Sequence, residues 1–76
     1  MRYISVMQLF VNGEAKDCPE PITLAKFIEQ LGMKGDRIAV ELNREIVPRV
    51  QWSETQLHEA DRLEIVHFVG GGMNTR

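Results

Sequence analysis

Near its start the chain alternates apolar and polar side chains and then runs directly into an Asn-Gly pair, in the stretch MQLFVNGE. A strand with this alternation would carry Met7, Leu9 and Val11 on one side and Gln8 and Phe10 on the other. Asparagine and glycine both tolerate positive φ angles, so Asn12-Gly13 predicts a two-residue hairpin turn. The chain is therefore expected to begin with two antiparallel strands.

The second strand of this hairpin is predicted over residues 14–18. Pro19 and Pro21 follow it, and proline has no N–H with which to continue a strand ladder. The stretch TLAKFIEQLG then predicts a helix, in which Thr23 suits the N-cap and Gly32 the position after the last turn. Its apolar side chains recur at helical spacing, at Leu24, Phe27, Ile28 and Leu31.

Three further strands are predicted in the second half of the chain, over residues 38–43, 46–47 and 62–69. The spacing of Ser53 and Gln56 is typical of a capping box and predicts a helical turn around SETQL. The order β-β-α-β-β-β indicates the α+β class, with the helix on one face of the sheet. The predicted core between sheet and helix consists of Leu9, Val11, Phe27, Ile28, Val40, Leu63 and Ile65.

Composition excludes several classes of protein. Apolar residues make up 43% of the 76 residues, which is typical of a globular domain and not of a disordered chain. The net charge is −2 with dispersed Lys and Arg, which argues against nucleic-acid or membrane partners. A single cysteine forms no internal disulfide and fits a reducing, cytoplasmic setting. The longest apolar run is too short to span a bilayer.

The sequence lacks the motifs of an enzyme site. There is no HExxH or other metal-binding spacing, and the GGG run lacks the Lys-Ser/Thr of a P-loop. His58 and His67 are isolated, so neither is expected to be a ligand or a base. Cys18 is expected to be a small, half-buried apolar residue, and Trp52 a packing anchor. The acidic residues, Asp61 among them, are expected to form a solvated face.

Three stretches resemble one family: MQLFVNGE at residues 7–14, AVELNREIVPRVQW at 39–52 and DRLEIVHFVGGG at 61–72. Together they are similar to ThiS, the family of sulfur carrier proteins in thiamine biosynthesis. The resemblance implies the ubiquitin-like β-grasp fold, a mixed sheet packed on one main helix. We therefore predict a domain over residues 1–69 and a flexible glycine-rich tail over 70–76. The chain departs from the family at both ends, since 1–6 form an N-terminal extension before the usual start at Met7 and 73–76 follow the glycines.

The resemblance implies a carrier and not an enzyme. Gly72 would be adenylated by an E1-like, ThiF-like enzyme that uses ATP, and would then become a thiocarboxylate with sulfur from a donor. A ThiG-like thiazole synthase would take this sulfur for the thiazole ring. Gly70 and Gly71 would thread the partners' active sites, because glycine has no side chain to clash. No cofactor bound by the chain itself is implied.

The resemblance also implies that the first and last strands lie side by side and parallel at the centre of the sheet. By strand parity, Phe10, Val66 and Phe68 would then share the face away from the helix. Exposed apolar side chains that group together often mark an interaction site. These three residues are therefore predicted to form the partner-binding surface.

Two other functions stay open at this point. One is that of the small subunit of molybdopterin synthase, over which the segment VPRVQW favours ThiS. The other is that of a ubiquitin-like binding module that is never acylated. Residues 73–76 favour the second alternative, because while they are attached Gly72 has no free carboxylate. The glycines alone would suit a flexible linker equally well.

Overall fold

A computed structural model describes residues 5–68 and confirms the predicted order β-β-α-β-β-β. The strands are β1 (Ser5–Val11), β2 (Glu14–Glu20), β3 (Ile38–Leu42), β4 (Glu45–Ile46) and β5 (Arg62–His67), and the helix is α1 (Leu24–Gln30). Two short 3-10 helices cover Gly35–Arg37 and Arg49–Glu54. The strands form one mixed, five-stranded sheet in the order β2-β1-β5-β3-β4, which is the predicted β-grasp arrangement.

The hairpin between β1 and β2 turns at the predicted Asn-Gly pair. Asn12 has a φ angle of 51° and Gly13 one of 86°, as a type I′ turn requires. The turn pairs Val11 with Glu14, and the antiparallel register continues to Ser5 and Glu20. Along β1 the buried side chains are those predicted to face inward.

The prediction that Pro19 ends the second strand is wrong, because β2 continues to Glu20. Bonded and non-bonded pairs alternate away from the turn, starting with the bonded pair Val11–Glu14. Pro19 therefore falls in a non-bonded pair with Val6. Its nitrogen points away from β1, and β2 is an edge strand, so no ladder hydrogen bond is lost.

Helix α1 has the predicted caps at both ends. The Thr23 hydroxyl accepts a hydrogen bond from the Lys26 N–H at 3.2 Å. Gly32 has a φ angle of +77°, which glycine adopts without cost. Its N–H donates to the Glu29 carbonyl at 3.0 Å, and the Met33 N–H donates to the Ile28 carbonyl at 3.3 Å. This pair of bonds is a Schellman motif.

The seven predicted core residues are all buried between the sheet and α1. The helical turn predicted around SETQL is displaced: the 3-10 helix covers Arg49–Glu54, so it ends near Ser53 instead of beginning there. Trp52 explains the shift, because its indole is buried and its Nε1–H donates to the Val47 carbonyl at 2.8 Å. The turn that begins directly after Pro48 therefore brings the indole to the Val47 carbonyl.

The remaining differences from the predicted bounds are small and concern the strand ends. β3 ends at Leu42, β4 covers Glu45–Ile46, and β5 ends at His67. Over residues 5–68, no helix has the length and apolar character needed to cross a membrane.

Candidate functional site

The centre of the sheet is formed by the first and last strands, which lie side by side and parallel as predicted. Phe10 pairs with Arg62, and Val11 pairs with Leu63. The Phe10 N–H donates to the Asp61 carbonyl at 3.0 Å, and the Asn12 N–H donates to the Leu63 carbonyl at 2.8 Å. The chain that leads to the C-terminal glycines is thus held directly against β1.

The side chain of Asn12 extends this pairing beyond the end of β1. Its Oδ1 accepts from the Ile65 N–H at 2.8 Å, and its Nδ2 donates to the Ile65 carbonyl at 3.2 Å. The carboxamide therefore bonds to Ile65 as the backbone of one more strand residue would. Sequence reasoning identified Asn12 only as a turn residue, because its second role depends on a partner far along the chain.

A second asparagine fixes the start of β5. The Asn43 Oδ1 accepts from the Arg62 N–H at 2.9 Å, and its Nδ2 donates to Asp61 Oδ1 at 3.0 Å. The other Asp61 oxygen accepts from the His58 N–H at 2.8 Å. Asp61 was predicted to belong to a solvated face, but its side chain is 14% exposed and holds this loop together.

The three side chains predicted to bind a partner share one sheet face but do not form one cluster. Phe10 is half-buried, and the Arg62 guanidinium carbon lies over its ring, 4.9 Å from the centroid. Val66 and Phe68 are 59% and 42% exposed. Val66 lies four residues beyond Arg62 along β5, about 13 Å at 3.3 Å per residue. The structure thus separates Phe10 from the other two, and partner binding by all three stays a prediction.

A charged depression occupies the sheet face between Phe10 and Val66. It is lined by Glu41, Asn43, Arg44, Arg62 and Glu64. Within residues 5–68, none of these carboxylates forms an ion pair with either guanidinium. Next to the depression, Ile46 lies opposite Glu41 and is 71% exposed. Sequence reasoning missed this side chain, because the short strand gave no alternation from which to assign its face.

Chemically reactive side chains are few in the part of the chain that the structure describes. Cys18 is buried, and burial, aided by the carboxylates of Glu20 and Asp17, raises the pKa of its thiol. No group of three or more His, Cys, Asp or Glu in residues 5–68 could hold a metal ion. The predicted sulfur-carrying Gly72, with Gly70 and Gly71, lies outside the described residues.

Known proteins resemble both the sequence and the fold. The sequence model of the ThiS family matches residues 9–72. The sulfur carrier protein ThiS of Escherichia coli is 30% identical over 66 residues, which cover 87% of this chain and 100% of that protein. A thiazole synthase of Paramagnetospirillum magneticum is 38% identical over 66 residues, which cover 87% of this chain and 20% of that protein.

Among solved structures, the crystal structure of the thiamine biosynthesis protein ThiS from Geobacter metallireducens matches with a TM-score of 0.76 and 29% identity. The match covers 87% of this chain and 100% of that one. This chain thus spans about a fifth of the thiazole synthase and the full length of two ThiS proteins. It belongs to the ThiS family, the sulfur carrier proteins of thiamine biosynthesis.

Proposed function

We propose that Gly72 carries sulfur as a C-terminal thiocarboxylate and delivers it for thiazole formation. An oxygen of its carboxylate attacks the α-phosphorus of ATP in the active site of a ThiF-like adenylating enzyme, and pyrophosphate leaves. Hydrosulfide supplied by a sulfur donor then attacks the acyl carbon of the adenylate, the bond from this carbon to the AMP oxygen breaks, and AMP leaves. The product holds one sulfur in place of one carboxylate oxygen.

The observation that carries this proposal is the extent of the family match. The similarity runs from residue 9, within β1, through the rest of the β-grasp domain and ends at Gly72. A match that ends on the third of three glycines supports the choice of this residue as the sulfur-carrying end. Because glycine has no side chain, such an end can enter a narrow active site in extended form.

The recipient of the sulfur is proposed to be a thiazole synthase. The similarity to a thiazole synthase over 66 residues supports this choice, since that protein carries a domain like this one beside its remaining sequence. Linking a carrier to its recipient raises the effective concentration of one at the other. A free carrier must dock on the same kind of enzyme from solution.

Residues 73–76 must be removed before Gly72 can react. A peptide bond joins Gly72 to Met73, so an amide nitrogen occupies the place of the carboxylate oxygen that attacks ATP. We therefore include in the proposal a proteolytic cut after Gly72.

The experiment compares the full chain with a chain that ends at Gly72, each mixed with ATP and the cognate adenylating enzyme. The shortened chain is expected to support ATP–pyrophosphate exchange, and with a sulfur donor its mass should rise by the difference between sulfur and oxygen. A chain that ends at Gly71 is the matched control, because it keeps the domain and a terminal glycine carboxylate but is one residue too short to place that carboxylate at the α-phosphorus. Equal activation of the intact chain would refute Gly72 as the carrier residue.

A second step separates the two sulfur-carrier pathways. The thiocarboxylated chain is offered to a thiazole synthase and, in parallel, to the large subunit of molybdopterin synthase. Sulfur transfer to the thiazole product is the expected result. Transfer to molybdopterin alone would overturn the proposed recipient and leave the carrier chemistry intact.

A further inference from the structure

Successive residues of β5 direct their backbone N–H and carbonyl groups alternately towards β3 and towards β1. The Phe68 N–H donates to the Arg37 carbonyl at 2.8 Å, so even-numbered residues of β5 bond towards β3. Odd-numbered residues bond towards β1: the Leu63 carbonyl accepts from Asn12, and both backbone groups of Ile65 bond to the Asn12 carboxamide. The next odd-numbered residue is His67.

The N–H and the carbonyl of His67 point to the β1 side of β5, but β1 ends before it reaches the level of His67. The β1 register with β5 stops at Val11 and Leu63, and the carboxamide reaches only Ile65. Beyond it the chain turns at Gly13 into β2, away from β5. Among residues 5–68, none bonds to these two backbone groups. A short sheet edge is therefore open in the middle of the domain, and not at β2 or β4.

We propose that an extended segment of the adenylating enzyme adds to this edge as a β-strand, in line with β1 and beyond Asn12. This inference rests on the proposed function of Gly72. Such a strand exchanges hydrogen bonds with the His67 backbone. On the open sheet face it meets Val66 and Phe68, which are 59% and 42% exposed, so apolar side chains at alternate positions of the segment suit it.

The short distance from this edge to Gly72 favours the adenylating enzyme as the occupant, because the proposed first step is adenylation of Gly72. His67 precedes Gly72 by five residues, a reach of at most about 18 Å in extended chain. Adenylation requires a carboxylate oxygen in line with the α-phosphorus, and small displacements of reacting atoms are costly in rate. A strand paired with His67 fixes the register of the chain that leads into the active site, which side-chain contacts alone do not.

The test uses the chain ending at Gly72 and replaces His67 with Pro. The proline removes the imidazole and the free N–H but no ladder bond, because the ladder to β3 uses even-numbered residues. His67→Ala is the matched control, since it removes the imidazole and keeps the N–H. In ATP–pyrophosphate exchange, His67→Pro is expected to raise the carrier concentration at half-maximal rate about tenfold over His67→Ala. Equal values in the two variants would refute the proposal, whereas no exchange with the parent chain would refute the proposed function instead.

Amide hydrogen exchange gives a second test that needs no variant. In the free chain the His67 amide should exchange faster than those of Ile65 and Val66, which are bonded to Asn12 and within the ladder to β3. The adenylating enzyme should slow exchange at His67. Unchanged exchange there, or slowing by a second copy of the chain or by thiazole synthase alone, would overturn the proposal.

Discussion

Replacing Asn12 with Gly tests whether a single carboxamide holds β5 against β1. Glycine adopts the observed φ angle of 51° without strain, so the turn itself is kept. The variant loses the bonds of 2.8 and 3.2 Å to Ile65, worth about 1 kcal/mol each. The greater freedom of glycine in the unfolded chain adds about 0.5–1 kcal/mol. The free energy of unfolding should therefore fall by about 2.5–3 kcal/mol.

Urea unfolding followed by the fluorescence of Trp52 measures this loss, because the indole is buried in the core. Arg44→Gly is the matched control: its φ angle is 74° and its side chain is exposed, so it gains the same unfolded-state freedom and loses no bond of this kind. Amide exchange at Ile65 should rise in Asn12→Gly alone. If the two variants lose equal stability and Ile65 exchanges at the parent rate, the carboxamide does not hold the strand.

Three other outcomes follow from the fold and the site. Phe27→Ala should lower the free energy of unfolding by about 3–5 kcal/mol in urea titration, because the ring is 3% exposed; a loss below about 1 kcal/mol would contradict its place in the core. Since the folded state raises the pKa of the Cys18 thiol, it holds that proton more tightly, and stability should fall as pH rises past the ordinary thiol pKa of about 8.5. Cys18→Ala should lose this pH dependence. Val66→Ala and Phe10→Ala should each weaken binding to the adenylating enzyme and leave the fold intact, as measured by titration calorimetry and thermal unfolding; unchanged affinity in both would remove these side chains from the interface.

The local features of the fold could be predicted from the sequence because they depend on neighbouring residues. Alternation assigned the inward side of β1, and helical spacing assigned Phe27 and Ile28 to the core. Caps at Thr23 and Gly32 each need partners only one turn away, so their positions were also predictable.

The errors concern properties that depend on distant parts of the chain. Whether Pro19 breaks a strand depends on whether that strand is an edge, which other strands decide. The 3-10 helix lies earlier than predicted because burial of the Trp52 indole stabilises the fold more than a capping box at Ser53 would. Strand parity put Phe10 and Val66 on one face, but only the register between β1 and β5 reveals the distance between them.

The central position of the last strand also governs how the protein can be made. The Asn12 carboxamide bonds to a residue 53 positions later, and β1 stays incomplete on that side until β5 leaves the ribosome. At 5–20 residues per second, Leu63 and Ile65 are synthesised roughly 3–11 seconds after Met7 and Leu9. Such long-range pairing slows folding and exposes apolar strands in the nascent chain. The domain can therefore close only when its synthesis is almost finished, so a chain interrupted before β5 presents an open core to the cell's proteases.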